Sequence, residues 1–94
     1  MKYGVYNFYD KVGDMYSHPL IFKNDIIAER SFDNTILSIN EPTKQPEDFE
    51  LNKIGFYDDE TGKIEVIDIK LIKKGSQTLA EVHEQKYDHK NSEV

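Results

Sequence analysis

Residues 49–69 read FELNKIGFYDDETGKIEVIDI. Two stretches rich in strand formers, 49–57 and 63–69, flank the polar segment DDETG. An acidic turn that ends in glycine before an alternating apolar stretch is a hairpin signal. Asp58, Asp59 and Glu60 also invite a metal-site reading, and spacing excludes it. With Asp58 as the first ligand of a calcium loop, Gly62 falls at the fifth position instead of the sixth. Ile69 then falls at the twelfth, where a bidentate Glu belongs. The acids are expected at a hairpin tip, with Gly62 supplying the left-handed residue.

A hairpin alone is not stable in water, so the remaining chain must cover it. At the start, KYGVYNFY (2–9) reads as a strand, with Tyr3, Val5, Asn7 and Tyr9 on one face and Gly4, Tyr6 and Phe8 on the other. Residues 10–14 read as a turn, and Met15-Tyr16 starts a short return. His18-Pro19 holds the chain extended before Leu20-Ile21-Phe22. Residues 25–39 carry an apolar stripe at helical spacing: Ala28, Phe32, Thr35, Ile36 and Ile39. Asn24 is an N-cap, Asp25 suits the positive end of the helix, and Asn40 with Glu41-Pro42 stops it. EPTKQPED (41–48) is a loop.

The expected fold is therefore α+β: an antiparallel sheet of three to four strands, with one helix at about 25–39 packed on one face and a C-terminal hairpin. Residues 1–72 make a single domain. Residues 73–94 are read as a polar tail with a short helix over 77–85, then a disordered end.

Composition narrows function. The 94 residues carry 12 basic and 18 acidic side chains, net −6, and no cysteine. Neither disulfides nor a thiolate metal site is available to so short a chain, and a cytoplasmic setting is expected. Oligomerisation is the remaining common aid. A first strand with aromatics on both faces leads to the expectation of a homodimer. No apolar run is long enough for a membrane span, and the N-terminus does not read as a signal peptide.

The charge is uneven: residues 1–69 hold seven basic and fourteen acidic side chains, and residues 70–94 hold five and four. Lys70, Lys73 and Lys74 cluster at the junction. They are either a phosphate-facing group or a solvated cluster that blunts a strand end. Lys2, Tyr3, Tyr6, Phe8, Tyr9 and Lys11 form an aromatic strand bracketed by lysines. Single-strand binders stack bases on such aromatics, but a sheet core uses the same residues. The candidate nucleic-acid residues are Lys2, Tyr3, Tyr6, Tyr9, Lys11, Lys70, Lys73 and Lys74.

No catalytic set is expected. The carboxylates run through polar loops, where neither burial nor a neighbour would separate their pKa values. His18, His83 and His89 do not share helical ligand spacing. There is no GxSxG, P-loop or GxGxxG, and neither a metal nor a cofactor is called for.

Three segments in register resemble a known family. MKYGVYNFYDK, PLIFKNDIIAERSF and PEDFELNKIGFYDDETGKI, together covering about residues 1–64, are similar to the small nonstructural protein of gokushoviruses. These are the single-stranded-DNA phages of the Microviridae. The protein is commonly described there as DNA-binding or as an open-reading-frame-five product. The resemblance implies a role in single-stranded DNA synthesis, replication or packaging, and it transfers no catalytic residues. The partners it implies are single-stranded DNA or a phage or host replication protein. An acidic module that binds protein without touching DNA is the competing reading.

Overall fold

The computed structural model describes residues 1–92, with side chains described through Glu84. Its sheet is antiparallel and has five strands: β1 (Lys2–Asp10), β2 (Met15–Tyr16), β3 (Leu20–Phe22), β4 (Phe49–Asp58) and β5 (Lys63–Lys74). The α+β expectation holds, with five strands where three to four were expected. Both extra pairings are short and use the same edge of β1. Tyr16 returns opposite Tyr9, and Ile21 lies opposite Val5. His18-Pro19 separates the two, because proline keeps its predecessor extended and offers no ladder N–H. The other edge of β1 pairs with β4 over its full length, and β4 pairs with β5.

Helix α1 (Asp25–Leu37) forms where expected. The Asn24 side chain accepts the Ile27 backbone N–H at 2.9 Å, satisfying one of the first-turn donors. Ala28, Phe32 and Ile36 are buried against Tyr6 and Leu51 of the sheet, with Phe8, Phe22, Ile39, Phe49 and Ile72 packed around them. Phe8 meets the edge of Phe32 at 5.4 Å between ring centres, an arrangement that aromatic quadrupoles favour. Tyr6 and Phe8 therefore face the helix, and Tyr3, Val5, Asn7 and Tyr9 face away from it, as alternation predicts.

The hairpin also forms. Gly62 has φ +71°, and its N–H donates to the Asp58 carbonyl at 2.8 Å. The Asp58 side chain caps the turn by accepting from the Glu60 N–H.

Beyond β5 the structure departs from a polar tail. Lys73 and Lys74 complete the strand, and α2 (Gly75–Ser92) follows at once, continuing past the expected 77–85 and through residues read as disordered. The expectation for the last two residues lies outside the described ones. A Cβ on Gly75 would meet the Pro46 carbonyl oxygen at 1.8 Å, so only glycine lets α2 start against the Pro46–Asp48 turn. Thr78 of α2 donates to Asp33 of α1 at 2.6 Å, which ties the two helices together on one side of the sheet.

Candidate nucleic-acid interface

The eight candidate residues do not form one surface. Tyr6 is wholly buried, and its hydroxyl donates to Asp25. Burial and that carboxylate push its pKa well above the usual tyrosine value. It is a core residue and no stacking platform.

Lys73 is 6% exposed. Its ammonium donates to Asp33 at 3.1 Å and to Glu81 at 2.7 Å. Desolvation works to lower its pKa, but the hydrogen bonds and charges of Glu81 and Asp33 prevail and raise it. This lysine stays charged and is consumed internally, which removes it from the phosphate-facing group.

Tyr3 and Tyr9 lie on the face away from α1. Tyr3 is opposite Tyr57, and Tyr9 stacks on Tyr16 with ring centres 4.5 Å apart. The Tyr9 hydroxyl donates to Asp14 at 2.7 Å, which pushes its pKa up to about 12. A carboxylate thus stands beside this aromatic pair, unfavourable for a phosphate. Lys11 and Lys74 are exposed at the opposite end of the sheet from Lys2, and Lys74 lies across from Glu50.

Lys2 and Lys70 remain: Lys2 lines a cleft the sequence did not single out, and Lys70 lies across from Lys53 beside it. The cleft, of about 420 Å³, opens where the start of α1 meets the sheet. Lys2 of β1, Lys23 from the segment before α1, and Lys53 of β4 line it, with Asp25 and the Phe56 ring. An adjoining depression of about 250 Å³ shares Lys2 and Phe56 and adds Lys63, Asp58 and Glu65. Lys70 pairs with Lys53 across the strands and is near enough to help hold the Asp25 carboxyl in its charged form.

Asp25 organises this cleft. The Tyr6 hydroxyl, then Lys53, hold its pKa below the ordinary carboxylate value. As a fixed anion it positions the Lys53 ammonium at 3.0 Å. Lys53 also sits 4.4 Å from the centre of the Phe56 ring, a cation–π contact. Lys2 makes only a long pair with Glu65, at 3.6 Å between exposed side chains, and such a pair yields readily to a competing anion. Four lysines thus line the cleft and depression around the half-buried Phe56 ring, with Lys70 across from Lys53, against Asp25, Asp58 and Glu65. The balance is locally positive in a chain of net −6.

The sequence reading missed Lys23, Lys53, Phe56 and Lys63. Lys23 alone carried a signal, because it precedes the N-cap of a helix whose free N–H groups favour anions.

The chain matches the family model described as Phage ORF5 protein over residues 3–78. It belongs to the Phage ORF5 protein family. The match extends beyond the three segments that carry the resemblance in the sequence, through β5 and into the first turn of α2. Comparison with curated proteins and with solved structures returns no match. As a member of the Phage ORF5 family, the protein is a phage accessory protein. Among the described residues there is no cluster of three or more His, Asp or Glu side chains fit to hold a metal. No helix among them is long and apolar enough to cross a membrane.

Proposed function

We propose that this Phage ORF5 protein binds single-stranded DNA weakly, at the cleft around Phe56, during DNA synthesis, replication or packaging in the host cytoplasm. The convergence of Lys2, Lys23, Lys53 and Lys63 on one half-buried aromatic ring, with Lys70 across from Lys53, carries this reading. Lysines track a backbone of phosphates, and an aromatic ring stacks a base without regard to sequence. Asp25, Asp58 and Glu65 dilute the positive field, and the net charge of −6 opposes long-range attraction. Affinity is therefore expected in the micromolar range at low salt and to fall steeply as salt rises.

Fluorescence anisotropy with a labelled oligothymidylate tests this. Lys2→Gln with Lys23→Gln should weaken binding several-fold. The slope of log affinity against log salt should flatten by about 0.7 for each phosphate that is no longer neutralised. Lys73→Met should leave binding unchanged, because Lys73 is occupied inside the protein. Absence of binding at tens of micromolar protein in low salt would overturn the proposal.

A second reading is a module that binds a phage or host replication protein without touching DNA. It is favoured by the sheet face away from α1, where Tyr3, Tyr57, Ile64 and Leu71 lie with few charges. A partner retained from infected cells after nuclease treatment would support it.

A further inference from the structure

β5 closes one end of the strand order, with no partner beyond it among the described residues. It is twelve residues long, and such an edge is a template for pairing with another chain. The opposite edge consists only of the short β2 and β3. Beside the free edge, Ile64, Val66 and Leu71 are all exposed, Val66 by 82%.

β5 also carries a pattern that complements itself. Between Val66 and Lys70, β5 advances four residues while β4 advances two, from Gly55 to Lys53. This bulge reverses the alternation of faces. Glu65 and Lys70 both lie on the side of α1: Glu65 through its pair with Lys2, Lys70 beside Asp25. Ile64 and Leu71 both lie on the other side, opposite Tyr57 and Asn52. In an unbulged strand, residues an odd number apart would face opposite ways.

A two-fold axis normal to the sheet pairs residues of like face. With the axis between Ile67 and Asp68, Glu65 of each copy falls opposite Lys70 of the other, and Ile64 opposite Leu71. Other registers that preserve the faces are worse. One sets Lys63 against Lys70, and another sets Ile64 against Lys74.

We propose that the protein forms a two-fold dimer through antiparallel pairing of β5 with β5 of a second copy, in the register that joins Glu65 to Lys70. The result is a continuous ten-stranded sheet with both copies of α1 on one side. The two lysine-lined clefts then open on the same side as well. The dimer stands independently of nucleic-acid binding, because free edge, exposed apolar residues and charge pattern are properties of β5 alone.

Sedimentation equilibrium on the full chain at 1–100 µM tests it. The expected mass is twice the 11.0 kDa of one chain. Glu65→Lys or Lys70→Glu alone sets like charges opposite each other at two symmetric places, and each should weaken the dimer at least tenfold. The double swap, E65K with K70E, should restore it. A second readout fixes the register: the chain has no cysteine, so mixed I64C and L71C variants should cross-link to each other, and neither to itself. A monomer mass throughout, a dimer indifferent to both single swaps, or a double swap that fails to restore it would each overturn the proposal.

Discussion

Asp33→Ala tests whether Lys73 belongs to the fold or to a surface. Lys73 is buried, and two of its ammonium hydrogen bonds go to Asp33 and Glu81. Removing one partner of a fully buried ion pair costs about 3–5 kcal/mol. Here Glu81 remains at 2.7 Å and the Asp33 side chain is itself 26% exposed, so the charge contribution falls to about 1.5–2 kcal/mol. The same substitution strips the Thr78 hydroxyl of its acceptor, and Thr78 is 1% exposed. That adds about 1 kcal/mol. The expected loss is thus about 2.5–3 kcal/mol, measured by urea denaturation followed by circular dichroism. In a thermal melt of a domain this size it corresponds to a fall of roughly 10–20 °C. Adding Lys73→Met to Asp33→Ala removes the stranded charge and should return about 1 kcal/mol or more. A loss below about 0.5 kcal/mol for Asp33→Ala would mean that the Lys73 ammonium reaches water. Lys73 would then return to the set of surface lysines available to phosphate.

Two further outcomes follow from the core and from Asp25. Phe32 is fully buried among Phe8, Ile36 and Leu51, so Phe32→Ala should cost about 3–5 kcal/mol in the same denaturation assay. Asp25 has a lowered folded pKa, so its contribution to stability is complete above the ordinary carboxylate value near 4 and is lost as pH falls through the lower folded value. Urea midpoints should therefore decline between about pH 5 and pH 3, and Asp25→Asn should shrink that decline.

Local signals in the chain were sufficient for the elements that depend on neighbours in sequence. Asn24 and the stripe Ala28, Phe32, Ile36 locate α1 because a cap and a 3.6-residue repeat are local. Gly62 locates the hairpin for the same reason. The sheet order was less legible, since β1 pairs with a strand about fifty residues away and nothing near Val5 or Gly55 announces the bulge between them. The lysines were hardest to assign. A cluster such as Lys70, Lys73 and Lys74 looks uniform in sequence, yet bulges along β5 send its members to different fates. Lys73 meets Asp33 and Glu81, Lys70 lies across from Lys53 beside the cleft, and Lys74 stands at the far end. The cleft itself draws on β1, β4, β5 and the segment before α1, so no single window of sequence contains it.

The placement of β1 has a consequence for synthesis. β1 leaves the ribosome ahead of its long partner β4, which is complete only at Asp58. At about 5–20 residues per second, roughly 2–10 s pass before that partner exists. During this interval VYNFY has only β2 and β3, five residues in all, to pair with along its edges, and α1 to cover one face. The edge of β1 that later pairs with β4 is then open to any other nascent copy on the same message. A cell that translates this gene heavily thus holds many unfinished chains with the same sticky strand. Slower translation through residues 10–58 should raise the insoluble fraction while leaving the stability of the finished protein untouched.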